Sequence, residues 1–454
     1  MSSRSLKIAF HSMDGAGHLN ACLGLAQALA KRNHQIIFLL NSANAGKFSK
    51  YGFDEYLLKE ATKPKSEDIS SPEEEKQENP VKKFAKMILE SGMLNSKSSI
   101  EKLKDDAGMK QFSTVLVHTV TAFEPQIEQA LQLKKPDLII LDHFFVPPSI
   151  LRSKIPWINL LSGNPLFPLN SPNLPPGGSG YPTDGDRSKW EEFRCLQAKH
   201  FGTLWMESQR KLCEKFDVVL TPENDPFIES NTFPRSPYLN IYGYPAELDY
   251  QDIEPLKDNF ASVDTFCREI AEPFNLPESF VSKQTGSDKM IYFSMGSMGT
   301  IDIELVQRVC RVLAKTPYKC IVSKGPLADE YHLPDNCWGE AFLSQTQILP
   351  LVDLVITHGG NNTTTESFSF GKPMIVLPLF GDQYDNAQRI TEKGFGVRFE
   401  PYSFDDDELL AAINRLINDD QLKQRMEKIA KRIADSNSKE KVCIRIEQLV
   451  DQNI

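Results

Sequence analysis

The first forty residues alternate between continuous apolar runs and a helical spacing of apolar positions. The run LKIAFH is followed by the polar turn SMDGAG, then by HLNACLGLAQALAKRNH, and then by a second run, QIIFLLN. Continuous apolar runs are typical of strands buried on both faces of a parallel sheet, and apolar residues three and four positions apart predict a helix. This segment is therefore predicted to form a strand, helix, strand unit.

The same alternation continues along the chain in two series. Apolar strand patterns of the first series lie at 136–142, 155–161, 216–221 and 238–243. The second series has a strand at 289–297, a helix near 302–315, the strands YKCIVSK, DLVITHGG and KPMIVLP, and a helix from about 362. Strands that alternate with helices predict an α/β protein with parallel sheets.

The two series predict two domains that face each other across a cleft. Residues 1–245 are predicted to form one Rossmann-like, doubly wound domain and 289–454 a second, whose last helix is expected to pack back on the first. Prolines, charges and weak periodicity at 246–288 are typical of a linker. Ligands of doubly wound sheets lie beyond the carboxyl ends of the strands, so the loops at those ends should carry the function.

Two segments interrupt this alternation. Residues 62–80 form an acidic run bounded by prolines, which we expect to be a solvated loop. Residues 163–189 are rich in proline and glycine and are longer than a connection between elements requires. Long loops of that kind either cover a binding site or are disordered, and the sequence leaves both alternatives open.

Composition narrows the functional classes. The chain has 454 residues, with 51 basic and 61 acidic side chains and a net charge of −10, and it has no block of lysine or arginine. Binding to nucleic acid or to an anionic membrane would favour a basic surface, so neither partner is expected. No apolar run is long enough for a signal peptide or a membrane helix, and the cysteines lack metal-ligand spacing. We therefore expect a cytoplasmic, monomeric protein without a membrane anchor.

His18 is a candidate general base. It follows the first strand and the glycines Gly15 and Gly17, in the first turn of the predicted helix. A dinucleotide fingerprint is rejected because Asn20 occupies the position of its third glycine. A helix dipole is expected to lower the pKa of this imidazole and favour its neutral form, which can accept a proton.

Asp142 is the candidate partner of His18. It ends the strand LIILD in the same domain, where its carboxylate could accept a hydrogen bond from the second imidazole nitrogen. Such a bond would fix the tautomer and stabilise the imidazolium. The alternatives are that His18 is a packing or capping residue and that Asp142 caps the next turn.

A dense polar constellation lies at residues 342–388. A strand delivers small residues, hydroxyls and backbone N–H groups to the first turn of a helix, at His358, Gly360, Asn361, Asn362 and Thr363. These groups are suited to a diphosphate. Glu366, one turn further on, could bind ribose hydroxyls, and Asp382 and Gln383 could bind paired sugar hydroxyls. Ser297, in the turn after the first strand of this domain, could add a further amide and hydroxyl.

Residues 342–388 resemble the signature of the UDP-glycosyltransferases with the GT-B fold, the UDP-glucosyl and glucuronosyltransferases of family 1. The resemblance rests on an aromatic-x-x-Gln start, T-H-G-G-x-N-T-x-x-E, G-x-P and P-x-x-x-D-Q-x-x-N, in that order. The sequence G-H-x-N near the start and the aspartate at the strand end agree with it independently. It resembles the soluble branch, because animal members generally carry a signal peptide and a membrane anchor.

The resemblance implies a role for each matching residue. His18 corresponds to the general base and Asp142 to its orienting acid, in an inverting attack of an acceptor hydroxyl on the anomeric carbon of the sugar. The implied donor-binding residues are Gly17, Ser297, Phe342, Leu343, Gln345, His358, Gly360, Asn361, Asn362, Thr363, Glu366, Asp382 and Gln383. Phe342 stands where the family usually has a tryptophan stacked on uracil, with Trp338 as a nearby substitute, and Ala21 replaces the usual proline.

The resemblance implies a metal-independent transferase that moves a hexose, with glucose preferred, from a UDP-sugar to a hydroxyl of a small lipophilic acceptor such as a flavonoid, phenol or xenobiotic, in detoxification or secondary metabolism. It also implies that the domain 1–245 binds the acceptor and the domain 289–454 the UDP-sugar. No cofactor is expected, since the pairs Asp184/Asp186 and Asp405/Asp407 match a metal-binding D-x-D only superficially. The acceptor walls are predicted at Phe123, Phe144, Phe145 and Phe167 and in the region 80–105. The alternatives are a non-catalytic protein that binds a lipophilic ligand or a nucleotide, and a UDP-sugar transferase of the envelope-precursor type.

Overall fold

Two parallel β-sheets organise the chain, one in each half. The computed structural model describes residues 4–59, 87–105, 107–228, 233–270, 274–283 and 285–453. The acidic run predicted as a loop at 62–80 lies outside these residues. Among the described residues, none of the helices is both long and apolar enough to cross a bilayer.

The first sheet has seven strands in the order β3-β2-β1-β4-β5-β6-β7, and each pair of neighbours is parallel. The strands are β1 Lys7–Ser12, β2 Gln35–Asn41, β3 Asp54–Leu58, β4 Leu138–Asp142, β5 Trp157–Leu161, β6 Leu239–Gly243 and β7 Phe260–Val263. This order is that of a doubly wound sheet: successive strands are added on one side of β1 up to β3 and on its other side from β4 onwards.

The second sheet has six parallel strands in the order β10-β9-β8-β11-β12-β13. They are β8 Met290–Ser294, β9 Lys319–Ser323, β10 Cys337–Glu340, β11 Leu354–Thr357, β12 Met374–Val376 and β13 Gly396–Arg398. The sheet repeats the winding of the first, so the predicted fold class of two Rossmann-like, doubly wound domains is confirmed.

The α-helices lie before, between and after the strands. In the first half they are α1 Ala16–Ala30, α2 Ser99–Lys104, α3 Ala107–Lys134, α4 Pro148–Ser153, α5 Leu166–Leu169, α6 Arg187–Gln197 and α7 Thr203–Lys215. In the second half they are α8 Glu278–Val281, α9 Gly296–Gly299, α10 Ile303–Leu313, α11 Gln345–Ile348, α12 Asn361–Ser369, α13 Gln383–Glu392, α14 Asp406–Ile417, α15 Asp420–Ala434 and α16 Ser438–Asn453.

The last helix returns to the first domain. Val442, Cys443 and Ile446 of α16 are buried in the apolar core that also contains the inner face of α1. Arg32, just beyond α1, donates to both carboxylate oxygens of Glu447, at 2.7 and 2.8 Å. The chain therefore crosses between the domains twice, once before β8 and once before α16.

Two segments differ from the sequence predictions, and a third is the loop for which the sequence leaves two alternatives open. The strand predicted at 216–221 is wrong, because Asp217 has a φ of 56°, which does not fit a strand, and Val219 is 78% exposed. The segment 246–288, predicted as a linker, contributes β7 to the first sheet. The loop 163–189 packs on the second domain, where Gly178 and Gly180 donate backbone N–H groups to the carboxylate of Asp385 at 2.6 and 2.9 Å.

Candidate active site

Two helices begin opposite each other in the cleft between the sheets. Gly15 precedes α1 and Gly360 precedes α12, and neither helix has a side-chain cap on its first turn. The side chain of Asn362 donates to the carbonyl of Gly17 at 2.7 Å, which joins the two helix starts. Because uncapped N–H groups at a helix start carry partial positive charge, the cleft is suited to an anion.

His18 and Asp142 meet on the first-domain side. Strand pairing places Asp142, the last residue of β4, beside Ser12 at the end of β1. The Nδ1 atom of His18 lies 3.0 Å from Oδ1 of Asp142, and the hydroxyl of Ser162 lies 2.9 Å from the same nitrogen. Asp142 is 2% exposed. A buried carboxylate at Nδ1 favours the tautomer with a proton there and leaves Nε2 free to accept one.

The charges around His18 set its pKa. Burial lowers the pKa of His18. The charge and hydrogen bond of Asp142, with the charge of Asp382, together raise this pKa by more than burial lowers it, so the net shift is upward. The prediction that a helix dipole lowers this pKa is therefore wrong. Two nearby carboxylates outweigh the desolvation of the imidazole.

Asp382 faces His18 from the second domain. One of its carboxylate oxygens accepts from the backbone N–H of Asn164 at 3.1 Å, so it also lies against the loop after β5. Desolvation raises the pKa of Asp382 to about 6, although the N–H of Asn164 and the charge of His18 lower it. A carboxylate thus stands across the cleft from the imidazole, at the position that the sequence assigns to the sugar.

His358 lies at the end of β11 between two glycines. A Cβ atom at Gly296 would come within 2.6 Å of its ring, and a Cβ at Gly360 would also come within 2.6 Å. Burial lowers the pKa of His358 to about 4, so the imidazole is neutral at pH 7. Glycine at both positions leaves room for this ring beside the start of α12.

Glu366 is held by two side chains. Its Oε2 atom accepts from Nε2 of Gln345 at 2.6 Å, and its Oε1 atom accepts from Nη1 of Arg268 at 2.8 Å. The oxygen of Gln345 accepts from the hydroxyl of Thr363 at 3.2 Å. Burial raises the pKa of Glu366, and the charge of Arg268 acts against that rise. The structure therefore brings together three predicted donor residues and adds an arginine.

The remaining polar residues predicted to bind the sugar donor differ in whether their side-chain oxygens already accept hydrogen bonds within the protein. The oxygen of Gln383 accepts from the backbone N–H groups of Leu379 and Phe380 at 2.9 and 3.2 Å. The amide nitrogen of Asn361 donates to the carbonyl of Gly243 at 3.0 Å, and its buried oxygen has no partner among the described residues. Asn361 thus offers an acceptor, whereas the oxygen of Gln383 shapes its own loop.

The residues predicted near the nucleobase lie on the second domain. Phe342 is 72% exposed, so its ring is available for stacking, and Leu343 is half-buried against the domain core. Trp338 packs against Phe274 and Phe280, with ring centroids at 6.3 and 6.0 Å. Trp338 is therefore engaged in packing. Ser297, in α9, is exposed.

The predicted acceptor walls divide into two pairs. Phe123 and Phe145 are 4% and 0% exposed and belong to apolar cores of the first domain, so their assignment to a ligand wall is corrected. Phe144 and Phe167 are only partly buried. Phe144 lies edge-on to His18 at 6.5 Å between centroids, and both phenylalanines contact the ring of Phe233, at 4.7 and 5.1 Å.

Sequence reasoning missed three residues that contact the predicted site. Ser162 lies beside His18, Asn164 beside Asp382, and Arg268 beside Glu366. Ser162 and Asn164 directly follow β5, and the rule that ligands lie at carboxyl strand ends could have identified them. No local signal identifies Arg268, which lies in the segment predicted as a linker.

The two D-x-D sequences form helix caps. Asp186 accepts from the N–H of Ser188 at 2.9 Å, and Asp405 accepts from the N–H groups of Asp407 and Glu408 at 2.9 and 3.0 Å. Within the described ranges, no three histidine, cysteine, aspartate or glutamate side chains are grouped as metal ligands.

Comparison with known proteins connects this site to a family. Residues 245–437 match the family model described as UDP-glucoronosyl and UDP-glucosyl transferase. The NDP-glycosyltransferase YjiC of Bacillus licheniformis is 21% identical over 449 residues, which cover 97% of this chain and 96% of that protein. The UDP-glucuronosyltransferase 1A6 of Oryctolagus cuniculus is 31% identical over 34% of this chain and 29% of its own length.

Solved structures share the fold. The glycotransferase of kitacinnamycin superposes with a TM-score of 0.65 at 17% identity, over 98% of this chain and 99% of that one. The glycosyltransferase VinC, solved in complex with DTDP, superposes with a TM-score of 0.64 at 16% identity, over 98% of this chain and all (100%) of that one. Both alignments span the two domains, so the arrangement of two doubly wound sheets is that of the GT-B glycosyltransferases.

Proposed function

The chain carries a domain of the UDP-glucoronosyl and UDP-glucosyl transferase family and is a glycosyltransferase, and from this premise we propose that it transfers a hexose from a UDP-sugar to a hydroxyl of a small lipophilic acceptor. Glucose is the hexose that we propose first. The observation that carries the proposal is the placement of the His18–Asp142 pair opposite Asp382 and the uncapped start of α12. The proposed base thus faces the proposed position of the sugar diphosphate.

In the proposed reaction, Nε2 of His18 takes the proton of the acceptor hydroxyl. The acceptor oxygen attacks C1 of the sugar, the bond from C1 to the diphosphate oxygen breaks, and UDP leaves with inversion at C1. Asp142 stabilises the imidazolium formed at His18. N–H groups at the start of α12 and His358 stabilise the negative charge on the leaving diphosphate, so the proposed reaction needs no metal.

The proposed donor nucleotide is UDP, bound through its ribose. Glu366 and Gln345 offer a carboxylate and an amide side by side, a combination suited to two neighbouring hydroxyls. The description of the matching family also names UDP-sugars, whereas VinC was solved with DTDP, whose sugar lacks the 2′-hydroxyl. Comparing UDP with its 2′-deoxy analogue therefore tests the choice of nucleotide.

The proposed acceptor is apolar and flat. Phe144, Phe167 and Phe233 form a continuous aromatic wall that reaches His18. Aromatic side chains favour stacking or edge contacts with ring systems. A phenol or flavonoid fits this wall, and modification of such compounds in detoxification or secondary metabolism is the role that we infer. The cytoplasmic location and the monomeric state expected from the sequence stay predictions.

Two measurements test the proposal. Calorimetric titration with UDP should show binding, and UDP-glucose with a simple phenol or flavonoid should release UDP and form the glucoside. His18→Ala should bind UDP but release almost none in the presence of acceptor. If the wild-type protein binds UDP without turnover across a broad panel of acceptors, it is a sequestering protein and the proposed transfer is wrong.

A further inference from the structure

Arg268 reaches the second domain from the chain segment that joins the domains. It lies between β7 and β8, and its Nη1 atom donates to Oε1 of Glu366 at 2.8 Å. The side chains of Arg268 and Glu366 are 11% and 3% exposed. Because a charge so far from water is costly unless it is paired, this ion pair is expected to matter for the state of Glu366.

The carboxylate of Glu366 is fixed from both sides. Arg268 donates to Oε1, and Gln345 donates to Oε2 at 2.6 Å. An ionised carboxylate has about four acceptor positions, so each oxygen retains one for a further donor. Two neighbouring hydroxyls, such as those of a ribose, could then bind one oxygen each.

The charge of Arg268 also bears on the neighbouring anion site. Glu366 lies in the same helix as Asn362, one turn from its start, so an uncompensated carboxylate would repel a diphosphate bound there. A guanidinium in contact with the carboxylate offsets that repulsion. Arg268 therefore makes a buried acidic residue compatible with an anionic ligand.

The segment around Arg268 is tied to both domains. The hydroxyl of Thr265 donates to the hydroxyl of Thr365 in α12 at 3.2 Å. On the other side, the side chain of Gln27 in α1 donates to the carbonyl of Glu269 at 2.8 Å and accepts from its N–H at 2.9 Å. These contacts fix the backbone on both sides of Arg268.

We propose that Arg268 is a positioning residue for the ribose of the donor, which holds the carboxylate of Glu366 in the orientation that accepts the 2′- and 3′-hydroxyls. This inference rests on the proposed function and deepens it. It makes ribose recognition depend on the segment that joins the domains as well as on the nucleotide-binding domain.

The test compares the binding of UDP and 2′-deoxy-UDP by calorimetry in the wild-type protein, Arg268→Gln and Arg268→Lys. The wild-type protein should bind UDP about 10-fold more tightly than the deoxy analogue, because a hydrogen bond to a charged group is lost with the 2′-hydroxyl. Arg268→Gln should weaken UDP binding about 10-fold and reduce this ratio towards one. Arg268→Lys keeps the charge and should recover part of both. In turnover, Arg268→Gln should raise the KM for UDP-glucose more than it lowers kcat.

The matched control is Arg432→Gln. Arg432, in α15, donates to Glu247 and Asp264, so it forms a more exposed ion pair with the same part of the chain and does not contact Glu366. If this variant weakens binding, it should weaken UDP and 2′-deoxy-UDP equally. The background Glu366→Gln removes the charge that Arg268 neutralises, and in it Arg268→Gln should cause little further loss of UDP affinity.

The outcomes separate this inference from the proposed function. If the wild-type protein binds no UDP, the proposed function and this inference are both overturned. If it binds UDP but Arg268→Gln leaves the affinity unchanged, or weakens both nucleotides equally as the control does, the inference alone is overturned. Should Arg268→Gln fail to fold, the ratio measured with Arg268→Lys and in the Glu366→Gln background decides.

Discussion

The two sides of the cleft are built in different ways. On the second-domain side, the candidate donor residues come mostly from one stretch of chain, 342–383, and polar atoms provide most of the contacts. On the first-domain side, His18 comes from the start of α1, Asp142 from the end of β4 and Ser162 from the end of β5, and an aromatic wall completes this side. A polar site at one helix start is thus formed by residues that are close in the sequence, whereas an apolar wall is formed by elements that are distant in the sequence and pack together.

The largest contrast should come from His18→Ala against Glu366→Ala. Loss of the base should lower kcat about 100-fold or more while UDP affinity is kept, because general base catalysis typically contributes 100-fold or more. Glu366→Ala should mainly raise the KM for UDP-glucose, because the ribose contact is lost. Steady-state kinetics with both substrates varied separates the two effects. An unchanged rate in His18→Ala with an alcohol acceptor would contradict the assignment of the base.

The pH dependence of kcat/KM tests the first-domain side of the cleft, because it reports the protonation of His18. A general base must be neutral, and the pKa of His18 is raised above its usual 6.5, so kcat/KM should fall as the pH drops through a value above 6.5. Asp142→Asn removes the carboxylate that raises this pKa. In that variant the fall should move to lower pH, and the plateau rate should drop about 10-fold or more because the imidazole is no longer oriented.

The profile of kcat/KM against pH, measured from pH 5 to 9, checks this expectation. Ser162→Ala is the control, because it removes a neutral neighbour of the same imidazole nitrogen and should shift the fall less than Asp142→Asn does. A profile that moves upward in pH, or stays in place, in Asp142→Asn would refute the arrangement.

Aromatic substitutions on opposite sides should have smaller and reciprocal effects. Phe144→Ala should raise the KM for a phenolic acceptor about 2- to 10-fold and leave the KM for UDP-glucose unchanged, since aromatic contacts contribute modest free energies. Phe342→Ala should do the reverse. Measuring both KM values for each variant checks the division, and a variant that raises both equally would show that the two sides are not independent.

The smallest effect is expected from chelation. The candidate anion site is made of N–H groups and a neutral imidazole, and the D-x-D aspartates cap helices. EDTA should therefore leave the initial rate of UDP release unchanged. The comparison is the same assay after addition of excess Mg²⁺ or Mn²⁺. A rate that is lost with EDTA and restored by either ion would require a metal in the donor site.

Sequence patterns predicted the two-domain fold because buried parallel strands are continuous apolar runs. They missed β3, β7, β10 and β13, the four strands at the sheet edges, which are short and contain charged or small residues, as in DEYLL, FASV, CWGE and GVR. Residues of one helix start could be grouped from spacing alone. The ion pair of Arg268 with Glu366 could not, because it joins residues 98 positions apart.

The aromatic residues show the same limit. Phe144 and Phe145 are adjacent, yet the first is near His18 and the second is fully buried. Sequence alone does not say which of two neighbouring rings faces a ligand, because the answer depends on packing with a distant residue. Trp205, in α7, stacks on the ring of Phe144 and packs against the ring of Phe145. The upward pKa shift of His18 likewise combines the effect of Asp142 with a smaller one of Asp382, from the other domain.

The two crossings between the domains lie side by side. Asp264, just after β7, accepts from the hydroxyl of Ser438 at the start of α16 and donates its backbone N–H to the same oxygen at 3.3 Å. A rotation of one domain relative to the other would therefore bend the chain at both crossings together. It would also break interdomain hydrogen bonds, among them those that Gly178 and Gly180 donate to the carboxylate of Asp385.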